Sequence, residues 1–105
     1  MIKVRISARA ARFIRTEKAY LAGVNKRASA GVSRQFRQAA RTLSDYPNVG
    51  APIMAQGDVR RFVTPPYIIE YEIHRTEIVI LLVRHGRQQT PDLDKTDGPD
   101  IPDVE

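Results

Sequence analysis

Glu77-Ile78-Val79-Ile80-Leu81-Leu82-Val83-Arg84-His85-Gly86-Arg87-Gln88 is the stretch that decides how this chain folds. Apolar residues run without a break from Ile78 to Val83. A strand that is apolar on both faces is an interior strand, covered on both sides. It leads directly into two arginines, a histidine and a glycine able to turn the chain. A rigid strand that presents cations at its tip is suited to hold an anionic or acidic partner.

Working back from that strand, Tyr67 to Ile73 alternates, with Tyr67, Ile69, Tyr71 and Ile73 on one face and Ile68, Glu70 and Glu72 on the other. His74 to Thr76 forms a tight turn between the two. Val59 to Thr64 reads as a third strand, with Arg60 and Arg61 on opposite faces. Pro65-Pro66 makes a sharp connection that removes two donors, so little pairing is expected there. Pro47 to Asp58, rich in Pro and Gly, reads as a loop.

Further back the period changes. Lys26 to Asp45 places Ala28, Val32, Phe36, Ala39 or Ala40, and Leu43 at helical spacing, and Pro47 ends the run. Residues 8 to 23 read as an earlier helix. Ser7 is its N-cap, and Ala10, Phe13, Ile14, Leu21 and Tyr20 form its inner side. Gly23 to Asn25 is read as a turn in which Gly and Asn take positive φ. Ile2 to Ile6 alternates as a half-buried strand. The reading is α+β, in the order β-α-α-β-β-β. A helical hairpin packs on one face of a small, mainly antiparallel sheet, and the other face is partly open.

The 105 residues suit one domain with one core. The absence of cysteine excludes disulfides and thiolate metal sites, and two histidines leave no structural zinc set. No apolar run has the length of a signal peptide or membrane span, so a cytoplasmic protein without membrane or cofactor is expected. The net charge of +5 conceals a split. Residues 91–105 carry six acids and one lysine, a net −5, which leaves 16 bases and 6 acids, a net +10, on residues 1–90. The expected division is a single domain over 1–90 and an acidic, disordered tail over 91–105. A basic body points to nucleic acid, a ribonucleoprotein or an acidic protein segment as partner. The acidic tail is a candidate to lie against the same basic surface.

Three segments together resemble the RelE/ParE toxin superfamily. Leu43 to Gly50 resembles its L-x-x-x-P-x-x-G junction. Arg60 to Tyr71 resembles its R-x-x-x-x-x-x-Y-x-I-x-Y strands, and Ile78 to Gln88 its closing I-L-x-V-x-H-G-R strand. The resemblance covers about residues 1–91. It implies a bacterial type II toxin neutralised by a cognate antitoxin in a hetero-oligomeric complex. RelE-like members cut messenger RNA on the ribosome, whereas ParE-like members poison DNA gyrase. The helical hairpin and the His-Gly-Arg ending resemble the ParE branch, which includes plasmid stabilisation proteins.

Metal-free RNA cleavage requires a base, an acid and cations to stabilise the phosphorane. RelE-like toxins supply these from lysines and arginines, with a tyrosine or histidine near the C-terminus. This chain has no lysine between Lys26 and Lys95 and no tyrosine after Tyr71. A ribonuclease mechanism would therefore rest on Arg61, Arg84 and His85. The structural reading of His85, an imidazole bonded to backbone in the Gly86 turn, takes precedence. Glu70 and Glu72 are expected to pair with arginines across the sheet. The resulting expectation is a ParE-like gyrase inhibitor without catalysis of its own, whose partner-binding residues are Arg60, Arg61, Arg84, His85, Gly86 and Arg87. The alternatives are a ribosome-dependent endoribonuclease, or a degenerate member that binds only its antitoxin.

Overall fold

A computed structural model describes residues 1–53 and 57–86. The elements in order are β1 (Lys3–Ile6), α1 (Ala8–Val24), α2 (Lys26–Asp45), β2 (Ala51–Pro52), β3 (Val59–Thr64), β4 (Tyr67–Ile73) and β5 (Glu77–His85). They form one five-stranded sheet in the order β1-β5-β4-β3-β2. β1 runs parallel to β5, and the other neighbours are antiparallel. The α+β expectation and the interior position of β5 both hold.

The core lies between the helical hairpin and one face of the sheet. Ala10 from α1 and Val32, Phe36, Ala39 and Leu43 from α2 pack on Tyr67, Ile69, Tyr71, Ile78, Ile80 and Val83. Burying a side chain such as Leu43 or Ile69 stabilises the fold by roughly 1.5–3 kcal/mol. Phe13, Ile14 and Leu21 pack at the margin of this cluster. Tyr20 was expected inside but is 68% exposed, because the inner stripe of α1 passes through Leu21 instead.

Two local expectations are corrected. Gly23 remains helical, and Asn25 is extended (φ −163°), so no positive-φ turn joins the helices. Asn25 alone makes the connection. Its N–H donates to Leu21 O, and its side-chain oxygen accepts from the N–H groups of Arg27 and Ala28. The 47–58 segment is not all loop, since Ala51 and Pro52 pair with Arg61 and Arg60. The sharp Pro65-Pro66 connection without pairing of its own is as expected: the two residues form a cis-linked turn directly beside the last β3–β4 pair, Thr64↔Tyr67. The side chain of Gln35 donates to the carbonyls of Thr64 and Pro65, and Gly86 N–H donates to Pro66 O. The polar groups of this turn are thus satisfied from α2 and β5.

One irregularity places the site residues. The β4–β5 register shifts between Glu70 and Tyr71, which face Leu82 and Ile80, and Leu81 is left as the extra residue. A bulge of this kind reverses the alternation of side chains on its strand. Ile78, Ile80, Val83 and His85 therefore lie opposite residues of the helix-covered face, and Val79, Leu82 and Arg84 opposite residues of the open face. The Gln89–Glu105 tail expected to be disordered, and Arg87, lie outside the described residues.

Candidate functional site

The residues singled out from sequence separate into three places. Arg60 belongs to the junction after α2. Its guanidinium donates to the carbonyls of Asn48 (3.2 Å) and Gly50 (2.7 Å). The Tyr71 hydroxyl completes the clamp by donating to Pro47 O at 2.6 Å and accepting from Gly50 N–H at 2.9 Å. Burial raises the pKa of Tyr71, opposed by the Gly50 bond and the Arg60 charge. Arg60 thus serves the backbone of the Pro47–Gly50 segment.

Arg61 and Arg84 meet on the open face, and both approach Glu70. Arg61 reaches the carboxylate at 3.4 Å and Arg84 at 3.8 Å. The register explains the meeting, because Arg61 pairs with Glu70 while Arg84 pairs with Ile68, one step along the same face. The Arg84 side chain is only 11% exposed and that of Glu70 13%. Burial lowers the Arg84 pKa, the Glu70 charge raises it, and the nearby Arg61 lowers it further. Arg61 Nε and Arg84 Nη1 are buried without a hydrogen-bond partner. Glu72, expected to pair with an arginine, lies 3.1 Å from His74 instead. At the far side of the sheet Arg5 bonds Glu77 at 3.1 Å and holds its carboxyl below the usual range.

His85 lies on the helix side, across the sheet from Arg84. Its Nε2 is 3.1 Å from Glu17 Oε1, and Tyr67 donates its hydroxyl to Glu17 Oε2 at 2.7 Å. Phe13 packs edge-on against both the Tyr67 and His85 rings, with centroids 6.1 and 5.6 Å away. Burial first, then the Glu17 hydrogen bond and charge, raise the pKa of Tyr67 well above the ordinary phenol value. The imidazole Nε2 therefore meets a helix carboxylate, a contact the sequence reading of His85 did not include. Sequence reading missed Glu17, although a signal was present. Glu17 is the sole acid of α1 and falls at helical spacing between Phe13 and Leu21 on the inner stripe.

Gly86 follows at the end of β5. A Cβ there would come within 3.3 Å of Pro66 O and 3.6 Å of Ile68 Cγ1, so a close approach favours glycine. Gly86 also lines a shallow, mainly apolar hollow of ≈ 380 Å³ with Val63, Pro65, Pro66, Tyr67 and Ile68. Among the described residues, no three His, Cys, Asp or Glu side chains converge to hold a metal ion. No helix among them is long and apolar enough to cross a membrane.

The fold is also that of a solved structure described as the chromosomal ParDE TA system from P. aeruginosa. The TM-score is 0.67 at 16% identity, covering 81% of this chain and 96% of that one. Among curated proteins, none matches in sequence. The model of the family described as ParE toxin of type II toxin-antitoxin system, parDE, matches residues 4–90. That span takes in both helices, all of the sheet but the first residue of β1, and every residue placed in the site above, and on that match the chain belongs to the ParE toxin family.

Proposed function

We propose that this chain is a cytoplasmic toxin that inhibits DNA gyrase by binding it, without a catalytic step or cofactor of its own. A cognate antitoxin neutralises it in a hetero-oligomeric complex. The contact surface consists of Arg61 and Arg84 on the open sheet face together with His85, Gly86 and Arg87 at the strand end. Arg60 contributes indirectly by holding the Pro47–Gly50 junction. Residues 1–90 act as the toxin domain, with 91–105 as an appendage.

The observation that favours gyrase over messenger RNA is the split of the would-be ribonuclease set. General acid–base cleavage needs its proton carrier and its phosphorane-stabilising cations around one phosphate. His85 bonds Glu17 on the helix side, whereas Arg61 and Arg84 bond Glu70 on the opposite face. The sheet stands between them. The test is pulse labelling of DNA and protein synthesis after induction without antitoxin, backed by a supercoiling assay with purified gyrase. The expected result is an early fall in DNA synthesis with translation intact, weakened but not abolished in His85→Ala, which removes one of several contact residues. A first fall in protein synthesis that disappears in His85→Ala would overturn the reading.

A further inference from the structure

The cation pair on the open face is undersupplied with acceptors. Arg61 and Arg84 share the single carboxylate of Glu70, and Arg61 Nε and Arg84 Nη1 are buried without a partner. A guanidinium has five N–H donors, and leaving such a donor buried and unmet costs free energy. Those two atoms expose no surface, so an arriving carboxylate would meet the outer N–H groups of Arg61, whose side chain is 35% exposed, and its charge would offset the repulsion between the two cations.

The neighbouring surface specifies what should accompany that carboxylate. Val63, Ile68 and Arg84 form one row across the open face, beside the row of Arg61, Glu70 and Leu82. Val63 is 56% exposed, and with Ile68 it lines the apolar hollow at the tip of β5. A fitting ligand therefore presents a carboxylate next to an aliphatic side chain.

The chain carries such a segment at Asp92-Leu93-Asp94, six residues beyond Gly86, which is itself part of the hollow's lining. Six residues span up to about 20 Å, enough to turn back over Ile68 and Arg84. Residues 91–105 carry a net −5 against +10 on residues 1–90, so the association is electrostatically favoured. We propose that Asp92-Leu93-Asp94 docks in cis on the open face, with Leu93 over the Val63–Ile68 hollow and a flanking carboxylate on the exposed part of Arg61, beside Arg84. Docking itself does not depend on the host target. That it covers a partner-binding surface rests on the function proposed above.

The full chain lacks cysteine, so Thr96→Cys provides one site for a nitroxide label. Paramagnetic broadening of the Arg61, Val63 and Ile68 amide signals is then compared with the same labelled chain carrying Asp92→Asn and Asp94→Asn. The tether is identical in both, so the difference isolates docking from chance proximity. Docking predicts that broadening falls at least about twofold in the double variant, and also in roughly 1 M salt, where the screening length is about 3 Å. Equal broadening in the two chains overturns the proposal. The measurement uses the free protein, so its failure is distinct from failure of the gyrase reading.

Discussion

Gly50 shows how one residue fixes the position of the site. A Cβ at this position would lie 2.8 Å from Arg61 O and 2.9 Å from both Cε1 and the hydroxyl oxygen of Tyr71. Gly50 does not have a positive φ, so the demand for glycine comes from close approach and not from backbone conformation. The approach exists because Tyr71 and Arg60 draw the Pro47–Gly50 backbone onto the sheet through four hydrogen bonds. The spacing of Pro47 and Gly50 thus records a docking of the chain after α2 onto β3 and β4. Gly50→Ala should destabilise the protein by about 1–3 kcal/mol, the usual cost of overpacking a well-filled position. In urea denaturation the midpoint should fall with an unchanged slope. An unchanged midpoint would mean that the junction gives way freely and is not held tightly by Arg60 and Tyr71.

Among the elements, the helical hairpin depends on one residue for both of its inner ends. Asn25 receives two N–H groups of α2 on its side chain while its own N–H closes the last turn of α1. Its side chain serves only α2, so Asn25→Ala should cost about 0.5–2 kcal/mol, whereas Asn25→Gly should cost only a few tenths. Thermal melts of the two variants should differ accordingly, and equal losses would show that the side-chain oxygen is not the source of stability. The elements themselves were legible where a single period and a clear terminator coincided. Lys26 to Asp45 keeps one apolar stripe and ends before Pro47, and Tyr67 to Ile73 alternates without interruption. β2 was hidden because two residues, one of them Pro52, carry no strand signal. The bulge at Leu81 was hidden for a deeper reason. Within an unbroken apolar run, every register buries the same kinds of side chain, so the sequence does not reveal where the phase changes. That phase decides which faces Arg84 and His85 occupy. Their presence at the strand tip, and their alternation to opposite faces as consecutive strand residues, were therefore readable, while which of the two faces the helices was not. Glu17 escaped notice because an acid among arginines reads as part of a solvated face, although its spacing placed it inward.

At the scale of the molecule, two phenols on β4 tie the layers together, and both should make stability sensitive to alkali. The Tyr67 hydroxyl bonds Glu17 of α1 while its ring packs against Phe36 of α2 and His85 of β5. Tyr71 bonds the junction that follows α2. In each case burial is the main cause that raises the phenol pKa above 10.0. The folded state therefore retains two protons that the unfolded chain releases near pH 10. A raised folded-state pKa gives stability that is complete below the unfolded value and is lost as pH rises through the folded one. The denaturant midpoint should accordingly show no contribution from these two groups between about pH 7 and 9. Above pH 10 it should fall as the unfolding free energy drops, by at most about 1.4 kcal/mol per pH unit for each phenol. Tyr67→Phe and Tyr71→Phe should each remove one proton's share of that slope. Tyr71→Phe should also lower stability at neutral pH by about 1–3 kcal/mol, because it leaves the Gly50 N–H and the Pro47 carbonyl without their partner. Tyr67→Phe should leave Glu17 with His85 as its remaining side-chain contact, and so make the Glu17–His85 pair the chief polar tie between α1 and β5. If both variants keep the full alkaline slope, the protons that matter are not on these phenols, and the helical layer is held to the sheet by apolar packing alone.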